Sequence, residues 1–498
     1  MINFEFSRNV IPRTIDELAE AEQYIRIAIF QFHHYGVFEV LKRKLSQGLK
    51  VEILTLPYDS INEDIRQQVT QQFRELEECG ALLYFCKWNI GNPERTTTAV
   101  GRWYSFHGKF IVTDKSAIAL SANFTNQHEL DAMLIYKKET DKLIEFNQNF
   151  EELLELFILP SSGYSGKIRL LIQNSGYSDT ESLFKVPPVI TTDIHDNHWI
   201  LDYPIQLCPD HFTLKDGLYI LPFDARGRSI IQKIFQGAKS YIYISTESFT
   251  DPDIYDDLIK ARLSKLSVKI LTGSTSMDFT DRLQQMLRNL LASGININTT
   301  NEPLHAKLII TDNILAVSSI NLNKMNLGFQ RSSRLWRENT ETITLSSNFE
   351  VINFAKKQFE NIFDQTIDIK IKLAERIKKD IGNLFTHYYG LRSRQEVKEL
   401  FSLFVLYEEI NAKKVALKIG KIAKALISTR NLVEKNDFIM ALILHLLSDN
   451  KLKYNQIEGK LSVLNTQIDL KQLLMTLIKL EYVEQEEEYY KLRVLSLF

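Results

Sequence analysis

The sequence predicts an α/β protein built from a doubled unit, followed by a mainly α C-terminal segment. Three observations predict it. First, His107-Gly-Lys109-Phe-Ile-Val-Thr-Asp114 recurs as His305-Ala-Lys307-Leu-Ile-Ile-Thr-Asp312, both of the form H-x-K-x4-D. Each copy runs into an apolar strand and a Ser-x-Asn: Ser121-Ala-Asn123 in one, Ser319-Ile-Asn321 in the other, with 16 residues from His to Asn in both. Second, the flanking strands recur as well: Tyr24-Ile-Arg-Ile-Ala-Ile-Phe30 matches Tyr241-Ile-Tyr-Ile-Ser245, and Val51-Glu-Ile-Leu-Thr55 matches Val268-Lys-Ile-Leu-Thr272. Third, the strand pattern gives way to helical periodicity after residue 366.

Taken in order, the first repeat spans 1–160. Amphipathic stretches predict a helix over Gly36–Leu49 and another ending at Gly80. Strands alternating with helices predict βαβ units and a mostly parallel sheet. Residues 161–215 form a connector rich in Pro, Gly, Asp and Ser, with a strand expected at Lys167–Ile172. The second repeat spans 216–366, with helices over Asp253–Leu266 and up to Gly294. Self-similarity of this length is the trace of a doubled fold. The C-terminal segment, 367–498, is predicted helical. Apolar runs at Phe438–Leu447, Tyr454–Leu461 and Ile468–Leu480, then a hairpin pattern over Glu481–Val494, suggest a winged helix at 437–498.

The bulk numbers exclude little. A chain of 498 residues allows about three domains. A hydrophobic content of 44% supplies a large core, and a formal charge of -2 gives no global basic field. Cys79, Cys86 and Cys208 are odd in number and widely spaced, so neither a disulfide framework nor a zinc site is expected, and each should be buried. No signal pattern opens the chain and no apolar run reaches about 18 residues. The expectation is a cytoplasmic protein.

Two histidines, two lysines and two asparagines in matched settings are the parts needed to grip a phosphate and transfer it. The plain alternative is a pair of unrelated core strands, but lysine is seldom left in a buried strand without a partner. A neutral imidazole is nucleophilic near neutral pH and escapes the repulsion an anionic nucleophile would feel. It can form a phosphohistidine, splitting one hard displacement into two easier ones. A second histidine can protonate the leaving alkoxide. Lys109 and Lys307 would bind non-bridging oxygens as charges, and Asn123 and Asn321 would add amide donors. With two lysines neutralising the phosphate, no metal and no other cofactor is required.

The paired motifs with their trailing Ser121 and Ser319, each followed by Asn, resemble the phospholipase D superfamily. That resemblance implies two α/β sandwiches related by a pseudo-twofold axis, with the active site where the motifs meet. It implies that the first-repeat histidine, His107, attacks and that His305 is the general acid. It also implies an acidic residue after each motif that holds a catalytic histidine in its tautomer; Asp131 and Glu341 are the candidates, each for the histidine of the opposite repeat. Asp114 and Asp312 lie five residues past their lysines, where a structural role bracing the motif loop fits better than chemistry.

Substrate recognition is expected where the repeats differ. Asn123 to Asp131 spans 8 residues, Asn321 to Glu341 spans 20. The longer loop carries Lys324, Arg331, Arg334, Trp336 and Arg337; cations around an aromatic suit a phosphate backbone with stackable bases. A solvated surface loop is the plain alternative. Arg102 and Trp103, just before His107, are candidates for the same cleft. Asp193, His195, Asp196 and His198 read as a polar turn rather than a metal site, for want of a second ligand cluster. His33 and His34 read as packed or exposed rather than functional, His387 and His445 as core.

A nuclease is the first expectation, on DNA before RNA. The segment Ile371–Arg430 holds 13 Lys and Arg against 6 Asp and Glu, enough to help hold a polyanion. Glu484, Glu486, Glu487 and Glu488 in the hairpin argue the other way and suit a protein partner. By analogy with superfamily nucleases, the setting would be a prokaryotic restriction or antiviral defence system, with an ATPase or helicase partner. A phospholipase D or phosphatidyltransferase is the alternative, and a non-catalytic scaffold the second. Two sites in one chain remove the need for a dimer, and a homodimer stays open.

Overall fold

The computed structural model describes residues 1–56, 63–85, 89–90, 103–104, 106–158, 189–192, 199–273, 287–369, parts of 436–447, and 451–492, apart from short breaks within the longer stretches. They form two compact units, Met1–Thr366 and Ile367–Phe498.

The first unit contains the duplication as two sheets of the same strand order. In the first sheet the order is Ile2–Ser7, Asp131–Lys137, Ser116–Leu120, Lys109–Thr113, Tyr24–Ile29, Lys50–Thr55, Leu82–Phe85. In the second it is Gly217–Leu221, Glu341–Ser346, Leu315–Ser318, Leu308–Thr311, Tyr241–Thr246, Ser267–Gly273, Asn296–Thr300. The expectation of a mostly parallel sheet is overturned. Only the last three strands of each series run parallel. The motif strands and their neighbours are antiparallel. The reason is loop length: two residues, Asp114 and Lys115, join the Lys109 strand to the next, whereas a parallel connection needs a crossover of a dozen or more.

Local sequence explains the helices. In Pro252–Leu263, Asp251 caps the N-terminus by accepting from the amides of Asp253 and Ile254, proline sits in the first turn, and Lys260 and Arg262 lie in the last. Gly80 ends Glu63–Glu78 with φ +99°, a conformation that favours glycine. Cys79, beside it, is exposed, contrary to the expected burial, because the helix end faces outward; Cys208 is buried as expected, and Cys86 lies outside the described residues.

Strand alternation divides the core. Ile25, Ile27, Ile111 and Ile118 face the outer helices, packing with Val10, Leu18, Val37 and Leu41. On the other face Phe110, Val112, Ala117 and Ala119 share one core with Leu308, Ile310, Leu315 and Val317 of the second sheet. The strand Lys109–Thr113 is therefore buried at every position. Each repeat also sends its last helix to the other's edge strand. Phe349–Phe363 packs on Ile2–Ser7, and Thr140–Ile158 packs on Gly217–Leu221.

The insert between Asn321 and Glu341 is not an open loop. It contains a short helix, Lys324–Leu327, and a hairpin, Phe329–Gln330 with Leu335–Arg337. That hairpin joins connector strands Trp199–Pro204 and Val189–Thr192 in one antiparallel sheet. The expected strand at Lys167–Ile172 lies outside the described residues.

In the second unit, helices Tyr454–Leu461 and Leu470–Lys479 precede an antiparallel hairpin, Val483–Glu486 with Tyr489–Leu492, joined by Leu452–Lys453. Leu442, Ile443, Ile457, Leu473, Leu474 and Val483 form its core. The acidic hairpin is partly neutralised. Lys491 Nζ sits 3.1 Å from Glu484 and 3.0 Å from Glu486, and Lys453 Nζ sits 2.7 Å from Glu488. The basic segment Ile371–Arg430, His387 and His445 lie outside the described residues.

Phe359 stacks on Phe6 of the first repeat at 6.3 Å and on Tyr243 of the second sheet at 5.2 Å. Phe359→Ala should therefore lower stability by about 3–5 kcal/mol, measured by urea unfolding. A loss under about 1 kcal/mol would show that this helix does not tie the repeats together.

Candidate active site

Alternation along a strand puts residues i and i+2 on one face, so His107 and Lys109 turn the same way, as do His305 and Lys307. In both repeats that way is toward the other repeat. The backbone secures it reciprocally: Phe106 bridges to Thr340, and Leu304 bridges to Leu130. The His107 amide donates to Thr340 O at 2.8 Å and the His305 amide to Leu130 O at 3.0 Å. Lys109 N also donates to Thr342 Oγ1 at 3.0 Å. The approach is close enough to constrain Gly108, where an added Cβ would come 2.9 Å from Thr342 Cγ2.

The side chains cross in the same reciprocal fashion. His107 Nδ1 lies 2.8 Å from Glu341 Oε2, and His305 Nδ1 lies 3.1 Å from Asp131 Oδ1. The acid from each repeat holds the imidazole of the other. Ser121 Oγ donates to Asp131 Oδ1 at 2.7 Å, and Ser319 Oγ donates to Glu341 Oε2. Asn326 Nδ2 donates to the other Glu341 oxygen. With Nδ1 engaged, each ring offers Nε2.

Lys109 and Lys307 are each 1% exposed. Lys109 Nζ sits 3.2 Å from His107 Nε2; Lys307 Nζ sits 3.4 Å from Glu247 Oε2 and donates to His305 O at 2.6 Å. Burial, with Lys307 nearby, pushes the Lys109 ammonium down to about 7. Burial likewise pushes the His107 imidazole down to about 4, against the pull of Glu341. Burial opposes ionisation of Asp131, yet the His305 ring and Lys307 hold its carboxyl below the ordinary value. Both histidines act electrostatically on Glu247, and the crossed bonds to Glu341 and Asp131 bring the two motifs together at the seam. The Asn123 and Asn321 side-chain oxygens are buried with no hydrogen-bond partner among the described residues.

Asp114 and Asp312 are braces, though for a different loop than expected. Asp114 Oδ1 accepts from the amides of Glu22 and Gln23, and Asp312 Oδ1 from those of Lys239 and Ser240. Each ties its motif strand to the entry of the neighbouring strand. His33 is half-buried, and His34 caps Tyr35–Ser46 by accepting from Val37 N. Glu129, Asp131 and His305 bring ligand-type atoms within 4.8 Å of one another, but His305 Nδ1 already bonds Asp131, and a cation there would have to break that contact.

The expected substrate residues divide. Lys324 and Arg334 are exposed and Arg337 is half-buried, its guanidinium 6.0 Å from the Phe329 ring. Trp336 is a correction. It is 7% exposed, donates from Nε1 to Glu338 Oε2 at 2.7 Å and carries Arg226 on its face at 4.2 Å. It is a packing residue rather than a stacking platform, because the insert folds into a sheet. Arg331, Arg102, Asp193, His195, Asp196 and His198 lie outside the described residues, and Trp103 is described only as part of the strand Trp103–Tyr104. Sequence reasoning missed Phe30, Glu247, Asn326 and Glu129. The first two end matched strands of the repeat, and extending the self-alignment by two residues would have exposed them.

A doubled α/β sandwich with paired H-x-K motifs at its seam defines a class of enzyme that acts on phosphodiesters. A family model described as "Cardiolipin synthase, PLD-like domain" matches residues 14–155 and 230–363. The chain belongs to the phospholipase D superfamily. No curated protein matches the sequence. Among solved structures, phosphatidylserine synthase of Haemophilus influenzae Rd KW20 is 14% identical, with TM-score 0.44, covering 72% of this chain and 85% of that one. Nuc, a phospholipase D family member from Salmonella typhimurium, is 19% identical, with TM-score 0.26, covering 31% of this chain and 98% of that one. Polyphosphate kinase from Porphyromonas gingivalis is 10% identical, with TM-score 0.40 and 72% of this chain covered; the match spans about half, 50%, of that protein's length.

Below about pH 7 Lys109 is charged and attracts phosphate; above it the charge is lost in the free protein. A bound anion favours the proton's return. On a phosphodiester substrate, kcat/KM should therefore decline above about pH 7 while kcat persists to higher pH. Parallel profiles for both constants would refute this account of Lys109.

Proposed function

We propose that the chain is a metal-independent nuclease that cuts DNA or RNA through a phosphohistidine intermediate. The crossed pocket supports it: two imidazoles, each held through Nδ1 by the other repeat's acid, and two buried ammonium groups beside them. His107 Nε2 attacks phosphorus, and the bond to the leaving oxygen breaks as His305 protonates that oxygen. Water then attacks the phosphohistidine, giving its proton to His305 and releasing His107. Lys109 and Lys307 hold the non-bridging oxygens, supplying charge stabilisation that a metal supplies elsewhere. Asn123 and Asn321 add amide donors, and Asp131 and Glu341 fix the ring tautomers.

Nucleic acid is favoured over lipid as substrate by the exposed cations Lys324 and Arg334 of the insert whose Asn326 bonds Glu341. No described helix is long and apolar enough to cross a membrane. Lys324, Arg334 and Arg337 stay with this proposal as phosphate contacts, without Trp336. The hairpin-bearing second unit suits a winged helix that positions substrate or an ATPase partner.

The test incubates EDTA-treated protein with labelled single- and double-stranded DNA, RNA and a fluorescent phospholipid. Cleavage of nucleic acid is expected, with losses of about 10³-fold or more in His107→Ala and in His305→Ala. Lipid turnover without nucleic-acid cleavage would reverse the assignment. Glu341→Gln should cost about 10²- to 10⁴-fold in kcat through loss of the His107 tautomer, although the two residues lie in different repeats. Unchanged kcat would remove Glu341 from the machinery.

A further inference from the structure

The pocket repeats its histidines and lysines, and differs most sharply in charge at one matched position beside them. Phe30 and Glu247 each lie six residues after the tyrosine that opens the matched strand, Tyr24 or Tyr241. Those strands hold equivalent registers against the motif strands, Ala28 opposite Phe110 and Ser245 opposite Leu308. Phe30 sets its ring edge-on to His107 at 4.5 Å, with Lys109 Nζ 5.4 Å from its centroid. Glu247 instead sets Oε2 3.9 Å from His305 Nε2 and 3.4 Å from Lys307 Nζ. One histidine meets a hydrocarbon ring where the other meets a carboxylate.

Resting on the phosphoryl-transfer reading above, we propose that this Phe30/Glu247 pair polarises the pocket, committing His107 to attack and His305 to proton transfer. Glu247 is a positioning residue that acts through His305 and Lys307.

The neighbours of each ring support the division. His305 is faced by Asp131 at 3.1 Å, Glu129 at 3.9 Å and Glu247 at 3.9 Å, with Lys307 on its own strand. Three carboxylate groups thus surround the ring that hands a proton to the leaving oxygen. His107 bonds Glu341 at 2.8 Å and has Lys109 at 3.2 Å from Nε2, with Lys307 also acting on it; Glu247, against His305, acts on His107 only from further off. A neighbouring cation and an apolar ring disfavour a proton on Nε2, leaving its lone pair for phosphorus. When the leaving oxygen departs, the proton on His305 Nε2 goes to it, and His305 then recovers a proton from the attacking water. Without Glu247 the contrast between the rings narrows, and attack by His305 gains on attack by His107.

The experiment uses aryl phosphodiesters, so its outcome does not depend on whether nucleic acid or lipid is the natural substrate. Bis(4-nitrophenyl) phosphate is mixed with the full chain, quenched in acid-free denaturant, and the phosphorylated histidine is located by mass spectrometry. The label is expected on His107 in the wild type and is expected to shift at least about tenfold toward His305 in the exchange variant Phe30→Glu/Glu247→Phe. The conservative Glu247→Gln supplies a second readout. Across esters whose leaving phenols rise in pKa, it should stay within about threefold of wild type for the best leaving group and fall about tenfold or more for the poorest. Label retained on His107 in the exchange variant, with an equal loss for all leaving groups in Glu247→Gln, would overturn the proposal. No label on either histidine of the wild type would overturn the phosphoryl-transfer reading itself.

Discussion

The site depends on hydrogen bonds that cross between the repeats. Asp131 belongs to one sheet and serves the imidazole of the other; Glu341 does the reverse. An imidazole accepts or donates according to what its second nitrogen meets, so the chemistry of each motif is set by a residue it does not contain. The rest of the unit serves that arrangement. The shared apolar core fixes the distance between the sheets, and the exchanged last helices fix their rotation. Asp114 and Asp312 stitch each motif strand to its neighbour.

Burying two lysines side by side is costly unless something anionic offsets it. Glu247, Asp131 and Glu341 offset part of it. On the proposed function a phosphodiester would offset the remainder, since its charge favours the ammonium form of Lys109 that burial disfavours. The side-chain oxygens of Asn123 and Asn321 are likewise buried without a partner among the described residues.

Much of this was legible in the sequence because duplication prints the same pattern twice. His107, Lys109, His305 and Lys307 announced themselves by spacing, and the crossed acids followed from resemblance. Strand direction was not legible: apolar runs look alike whether parallel or antiparallel, and only the two-residue turn Asp114-Lys115 decides it. Trp336 misled because an aromatic among cations reads the same whether it stacks on a base or on Arg226. The Phe30/Glu247 contrast escaped because matching stops where similarity stops, which is where the halves divide their labour. Of the cations expected to meet substrate, Lys324, Arg334 and Arg337 are among the described residues and Arg331 and Arg102 are not.

Doubling a gene segment ordinarily leaves a spare. Here it leaves none, since each half keeps its partner's acid. Damage at Glu341 reaches His107, and damage at Asp131 reaches His305, so neither half can shelter the other from loss. Such a chain cannot drift toward one working copy and one relic without going silent, and severing it in the connector would yield two fragments that are both mute until they find each other again.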